Sequence, residues 1–218
     1  MTSVSCHSQL HDFLKRYTHS YQEQMGELPQ CYPMDMPSPC MIEPLPSNDS
    51  RVHWQWQAQE PQASFKNIEL ALDISFWPDI ANFYGSFYAG TLYFHSEQGA
   101  GELLQTWSGD DLEALQKNLI GHIMMKQKLK QPLTWFIGLL ADGDHMITVN
   151  NQDGSVWTEV PGHEQEQKLA SSLAEYLTLL TPRVMLPVAP VHEEMPELSH
   201  PGMINRLKVM WHNLTGKH

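Results

Sequence analysis

Apolar side chains fall at Leu10, Phe13, Leu14, Tyr17 and Tyr21 with polar residues between them. This is the recurrence of a helix with one buried face, and it predicts a helix from Ser8 to Gln24. Gly26 and Pro29 end it. From Leu28 to Ser50 the chain carries Pro29, Pro33, Pro37, Pro39, Pro44 and Pro46. Proline has no N–H to give to a ladder, so the stretch reads as a loop laid over the surface. Val52, Trp54 and Trp56 then alternate with His53, Gln55 and Gln57, a short strand with one apolar face. Two short helices follow, Ser64 to Leu72 and Pro78 to Gly85, the second opening on proline. Thr91 to Ser96 and Glu102 to Trp107 read as a hairpin joined across Glu97, Gln98, Gly99, Ala100 and Gly101.

The strongest helical pattern comes next. Ser108 is an N-cap, Asp110, Asp111 and Glu113 place carboxylates at the positive end of the helix dipole, and Leu112, Leu115, Leu119, His122, Ile123 and Leu129 form the inward stripe. Lys126, Lys128 and Lys130 sit at the negative end, and Pro132 stops the helix. Leu133 to Leu140, Met146 to Asn150 and Ser155 to Val160 are strand-like runs, made an antiparallel meander by turns at Asp142-Gly143 and Asp153-Gly154. A last core helix is expected from Glu164 to Leu180, with Leu169, Leu173, Tyr176, Leu177 and Leu180 on one face. Connections this short exclude parallel crossovers, so the expected fold is α+β, with an antiparallel sheet of about five or six strands flanked by helices.

Past Arg183 the pattern changes. Pro187, Pro190, Pro196 and Pro201 space a polar linker, and Met203, Leu207, Met210 and Leu214 lie on one helical side of a terminal segment, with Ile204 and Trp211 beside them. The reading is a domain over residues 1–183, then a linker and a segment with the pattern of an appended amphipathic helix over residues 184–218.

Composition narrows the function. The 218 residues are 41% hydrophobic and 17% charged, the balance of a packed protein. No apolar run approaches the ~18 residues of a membrane span, the longest being Leu133 to Ala141. The N-terminal residues lack the basic start and apolar stretch of a secretory signal, so a cytoplasmic location is expected. Cys6, Cys31 and Cys40 have no CxxC pairing and are expected to be reduced. The formal net charge is -12, which repels nucleic acid and anionic lipid and suits a basic partner. The deficit is local. Between Lys66 and Lys117 lie Glu69, Asp73, Asp79, Glu97, Glu102, Asp110, Asp111 and Glu113, with no lysine or arginine among them.

Five blocks occur in the order found in a known family: PSPC at Pro37 to Cys40, LDISFWPDIANFY at Leu72 to Tyr84, Ala89-Gly90, LLQTWSGDDLEALQKNLIGH at Leu103 to His122, and LASSLAEYL at Leu169 to Leu177. Over Leu10 to Arg183 the chain resembles the Syd family, the SecY-interacting proteins, which is similar in fold to the SUKH group. It departs from the family in its longer tail after Arg183, and the loop from Leu28 to Ser50 differs in detail. The resemblance implies a peripheral protein of the inner membrane's cytoplasmic side. It would be non-enzymatic and without cofactor, receiving the basic cytosolic loops of SecY on an acidic concave face and monitoring assembly of the channel. Cytoplasmic loops of bacterial inner-membrane proteins are rich in Lys and Arg, which agrees with the charge of this chain.

On that reading Glu69, Asp73, Asp79, Asp110, Asp111 and Glu113 form the docking face, although carboxylates at helix starts also serve the helix dipole. Trp54, Trp56, Phe83 and Trp107 have the spacing of core residues, and Trp77 and Tyr84, beside acids, are the aromatic contacts. His7 and His11 have a metal-sharing spacing, but with only Cys6 adjacent and no third ligand evident no metal site is expected. His122 reads as a core histidine. No GxSxG, P-loop, GxGxxG or HExxH motif occurs. Two other readings stand beside the first: a SUKH-type immunity protein neutralising a basic toxin through the same acidic surface, and a hydrolase using paired acids.

Overall fold

The computed structural model describes residues 5–33, 36–46, 50–141 and 143–187. The turn position Asp142 and the terminal segment from Met203 to Leu214 lie outside the described residues. Helix α1 spans Cys6–Met25. The Ser5 hydroxyl accepts from the Ser8 N–H, and Gly26 closes the other end at φ 74°, a conformation glycine adopts without a side-chain clash. Leu10, Phe13, Leu14 and Tyr17 are buried as the spacing requires.

The proline-rich stretch is irregular except where β1 (Gln30–Cys31) pairs with β2 (Val52–His53). A second small pair joins β3 (Gln57–Ala58) to β4 (Phe87–Tyr88), with α2 (Lys66–Leu72) and α3 (Asp79–Tyr84) between them. The main sheet is built from β5 (Leu92–Ser96), β6 (Gly99–Leu103), β7 (Thr134–Leu140), β8 (Met146–Asn150), β9 (Val156–Glu159), β10 (Gln165–Ala170) and β11 (Thr181–Pro182), in the order β10-β9-β8-β7-β6-β5-β11. Every neighbouring pair is antiparallel. Helix α4 (Gly109–Leu129) runs between β6 and β7, and α5 (Leu173–Leu179) between β10 and β11. The α+β class and the meander are as the sequence predicts.

Three details differ. Glu97 and Gln98 alone form the β5–β6 turn, and Gly99, Ala100 and Gly101 belong to β6. Glycine is needed inside that strand because a Cβ at Gly101 would meet the Phe94 ring and lie 2.7 Å from the Leu139 carbonyl oxygen. The expected single helix from Glu164 to Leu180 is a strand followed by a helix. Gln165 to Lys168 offer no apolar side chain to a helical face and pair with β9 instead. The helix starts at the Ser172 N-cap, whose hydroxyl accepts from the Glu175 N–H, while the Glu175 carboxylate accepts from the Ser171 N–H at 2.8 Å. Lastly, β10 and β11 flank the sheet and bring it to seven strands, while the Val52 strand stays outside it.

Helix α4 faces the sheet with Leu115, Leu119, His122 and Ile123, as expected, but its last inward residue is Lys126, while Leu129 is exposed. Lys126 is fully buried, and its ammonium reaches Glu159 Oε1 of β9 at 2.9 Å, the His163 carbonyl at 2.8 Å and Gln131 Oε1 at 3.2 Å. Two oxygens thus accept its N–H donors, and the Glu159 carboxylate stands at ion-pair distance as the counter-charge. Glu159 is equally buried, and burial raises its carboxyl above the usual range while Lys126 opposes the rise. His122 bonds the Thr134 hydroxyl at 2.9 Å, and burial, aided by the Lys126 charge, lowers its pKa to about 3, so the ring stays neutral.

Lys126→Met strands the buried Glu159 carboxylate and is expected to cost about 3–5 kcal/mol of unfolding free energy. Lys126→Met combined with Glu159→Leu removes both charges and is expected to recover most of that loss. Urea midpoints of the two variants check this; a double variant as unstable as the single one contradicts it.

Candidate docking surface

The start of α2 lies against α4 at Gln116. The Asn67 amide donates to Gln116 Oε1 at 2.8 Å, and the Gln116 amide donates to the Ser64 carbonyl at 3.1 Å. This side-chain bridge sets the carboxylates of α2 and its C-cap, Glu69 and Asp73, beside the helix that carries Asp110 and Glu113. Asp73, Asp110 and Glu113 are exposed. Glu69 is half-buried and also shapes the chain, since its Oε1 accepts the Phe76 N–H at 2.8 Å. Asp79 opens α3 and is half-buried; burial raises its pKa, while the Asn82 amide pulls it down. Among the described residues, none of these carboxylates forms an ion pair with a lysine, arginine or histidine.

Two of the sequence-predicted contacts lie in the interior. Asp111 is buried: Oδ2 accepts the Trp107 N–H at 2.8 Å, and its own N–H donates to the Ser108 hydroxyl. It is the reciprocal half of the α4 cap, and burial raises its pKa. Tyr84 is fully buried, its hydroxyl donating to the Phe136 carbonyl at 2.8 Å, and burial pushes the phenol well up. Trp77 is half-buried beside Asp79. Its backbone N–H donates to Asn151 Oδ1 at 2.8 Å, and its indole lies on Gly154, where a Cβ would collide with the ring. The sequence position of Asp111 does not separate it from its exposed neighbours Asp110 and Glu113; helix rotation does.

The paired histidines of α1 and the loop cysteines are engaged in packing. His7 and His11 lie against the Phe87 ring at 5.2 and 5.5 Å between centroids, and His11 meets Trp56 edge-on at 5.0 Å. Burial raises the Cys31 thiol to about 12 and the Cys40 thiol to about 11, which keeps both protonated at neutral pH and poorly nucleophilic.

The chain matches the family described as Syd protein (SUKH-2) over residues 7–182. It is 51% identical over 205 residues to "Protein Syd" of Shewanella pealeana, covering 94% of this chain and 96% of the relative. It is 51% identical over 217 residues to "Protein Syd" of Shewanella sp. strain MR-7, covering 98% and 100%. The corresponding protein of Shewanella baltica strain OS155 is 50% identical with the same coverage. The family match stops at residue 182, whereas the last two alignments take in the whole of each relative, so a tail of this length is shared with them.

The buried and exposed carboxylates of α4 are expected to separate in stability. Asp111→Ala leaves the buried Trp107 N–H without its acceptor and should cost about 1–3 kcal/mol. Asp110→Ala and Glu113→Ala should each cost less than about 1 kcal/mol, through the helix dipole alone. Denaturant titration of the three variants checks the ranking.

Proposed function

The chain belongs to the Syd protein (SUKH-2) family, and from that premise we propose a non-enzymatic peripheral protein that binds the basic cytoplasmic loops of the SecY channel through an acidic face. The observation that carries the proposal is the set of solvent-facing carboxylates on adjoining helices, with no cation paired to them among the described residues. Charge left uncompensated inside the molecule is free to attract charge outside it. Cytoplasmic loops of inner-membrane channels are enriched in Lys and Arg, so such loops are the natural complement. On this reading the protein distinguishes assembled from poorly assembled channels by whether those loops are presented together.

The docking face in this proposal consists of Asp73, Asp110 and Glu113, with the half-buried Glu69 and Asp79 and the Trp77 indole beside them. Asp111 and Tyr84 support it from inside. Attraction of this kind accelerates and orients encounter over a Debye length of about 8 Å at physiological salt. A body of charge -12 is repelled by the anionic leaflet, and no helix among the described residues is long and apolar enough to cross a membrane. Recruitment to the cytoplasmic face of the inner membrane therefore runs through the channel.

Binding of the purified protein to membranes with and without SecY, across a salt series, tests the proposal. Binding is expected only where SecY is present and should weaken as salt rises. Asp73→Lys, Asp110→Lys and Glu113→Lys together should weaken it by about ten-fold or more and flatten the salt dependence. Equal binding to SecY-free membranes, or unchanged binding by the triple variant, overturns it.

A further inference from the structure

His53 of β2 lies where three segments meet. Its Nδ1 is 2.6 Å from Glu43 Oε1 in the proline-rich loop, and its backbone N–H donates to Glu43 Oε2 at 2.7 Å. On the other side of the ring, Nε2 is 3.2 Å from Glu27 Oε2, two residues past the end of α1, and 2.9 Å from the side-chain nitrogen of Gln30 in β1. Glu27 and Glu43 are the charged groups that face the ring from the elements packed on it.

These partners make incompatible demands. A neutral imidazole has one N–H and cannot donate to two carboxylates at once; the imidazolium can. The Gln30 amide nitrogen asks the reverse of Nε2, a lone pair to donate to. Among the described residues, Gln30 Oε1 is buried without a hydrogen-bond partner, so it can become the acceptor if the amide turns. Gln30 also lines an open hollow of about 380 Å³ with Tyr32, Ser50 and Arg51, which gives the amide room to rotate. Glu43 keeps its backbone hydrogen bond whatever the ring's charge.

We propose that His53 is a proton-operated latch: the charged ring ties Glu27 to Glu43, and the neutral ring drops Glu27 and takes a hydrogen bond from Gln30. Protonation thereby joins the turn after α1 to the proline-rich loop. That loop rests on the start of α4, where the Trp107 indole N–H donates to the Met36 carbonyl at 3.0 Å and the Ser38 hydroxyl donates to the Trp107 carbonyl. The latch stands whether or not the acidic face receives SecY.

The pH dependence has a definite sign. Hydrogen bonds to Glu43 and then Glu27 raise the His53 pKa, against burial. The stabilisation is therefore complete below the ordinary histidine value of about 6.5 and is lost as pH rises through the higher folded-state value. For Glu43, burial raises the carboxyl, but the hydrogen bonds from His53 outweigh it and hold the carboxyl below its usual value. That part is present at neutral pH and lost as pH falls through the lowered value. The charged bridge is whole only between these two limits.

An NMR pH titration of the full chain tests the latch. The His53 ring signals are expected to titrate above about 6.5, and the Gln30 side-chain amide signals should shift with the same midpoint. Glu27→Gln, a near-isosteric change at a partly exposed site, should lower the midpoint. Gln30→Glu, which removes the donor that favours the neutral ring, should raise it. A midpoint at or below the ordinary value, one unmoved by Glu27→Gln, or Gln30 signals indifferent to pH overturns the proposal.

Discussion

The buried ion pair between Lys126 and Glu159, 2.9 Å apart, is the contact from which the rest of the architecture takes its orientation. A lysine carried into the interior must find acceptors for all its protons, because an unpaired buried charge costs several kcal/mol. Lys126 finds hydrogen-bond acceptors on the chain after β9 and on Gln131, and its counter-charge on β9. Apolar packing alone tolerates a helix rolled a few degrees either way, but a satisfied ammonium does not. The pair therefore fixes the rotation of α4 on the sheet. With Asp111, Leu115, Leu119, His122 and Lys126 turned inward, Asp110, Glu113 and Lys117 are turned outward.

The acidic character of the surface follows from this orientation as much as from composition. Each end of α4 carries the charge that its dipole favours, so the helix gains where carboxylates crowd its start. Asp111 is used up as a cap, and Glu69 in part as the acceptor that closes the turn before α3. Asp73, Asp110 and Glu113 are left to solvent, at some cost in mutual repulsion. In a chain kept only for its stability, a few lysines in residues 67–116 would relieve that repulsion, and none is present.

The sequence made legible those elements whose periodicity is apolar. The stripe of α1 and the stripe and N-cap of α4 state which face is buried, and the apolar runs of β7 to β9, bounded by turn residues, mark central strands buried on both faces. What it hid were polar residues with two ordinary roles. A lysine in the last turn of a helix reads as a dipole partner, and only the sheet beneath Lys126 reveals otherwise. Among Asp110, Asp111 and Glu113, one carboxylate goes inward because of where Ser108 starts the helix. Tyr84 and Trp77 sit in the same block, yet one belongs to the interior and the other to its rim. β10 was obscured because Gln165 to Lys168 are good helix formers; the Ser172 to Glu175 capping pattern was the available signal that the helix begins later.

The two outermost strands have a consequence for how the molecule behaves in a crowd of its own kind. An open sheet ends in unpaired backbone groups, which invite a strand from another chain to add on. Here one end is β11, only two residues long and finishing in Pro182. The other is β10, irregular in register and carrying Glu166 and Lys168. Neither border presents a long, flat, uncharged template. Both borders are thus poor templates for growth into fibrils, and the short length of one and the broken register of the other do not depend on salt.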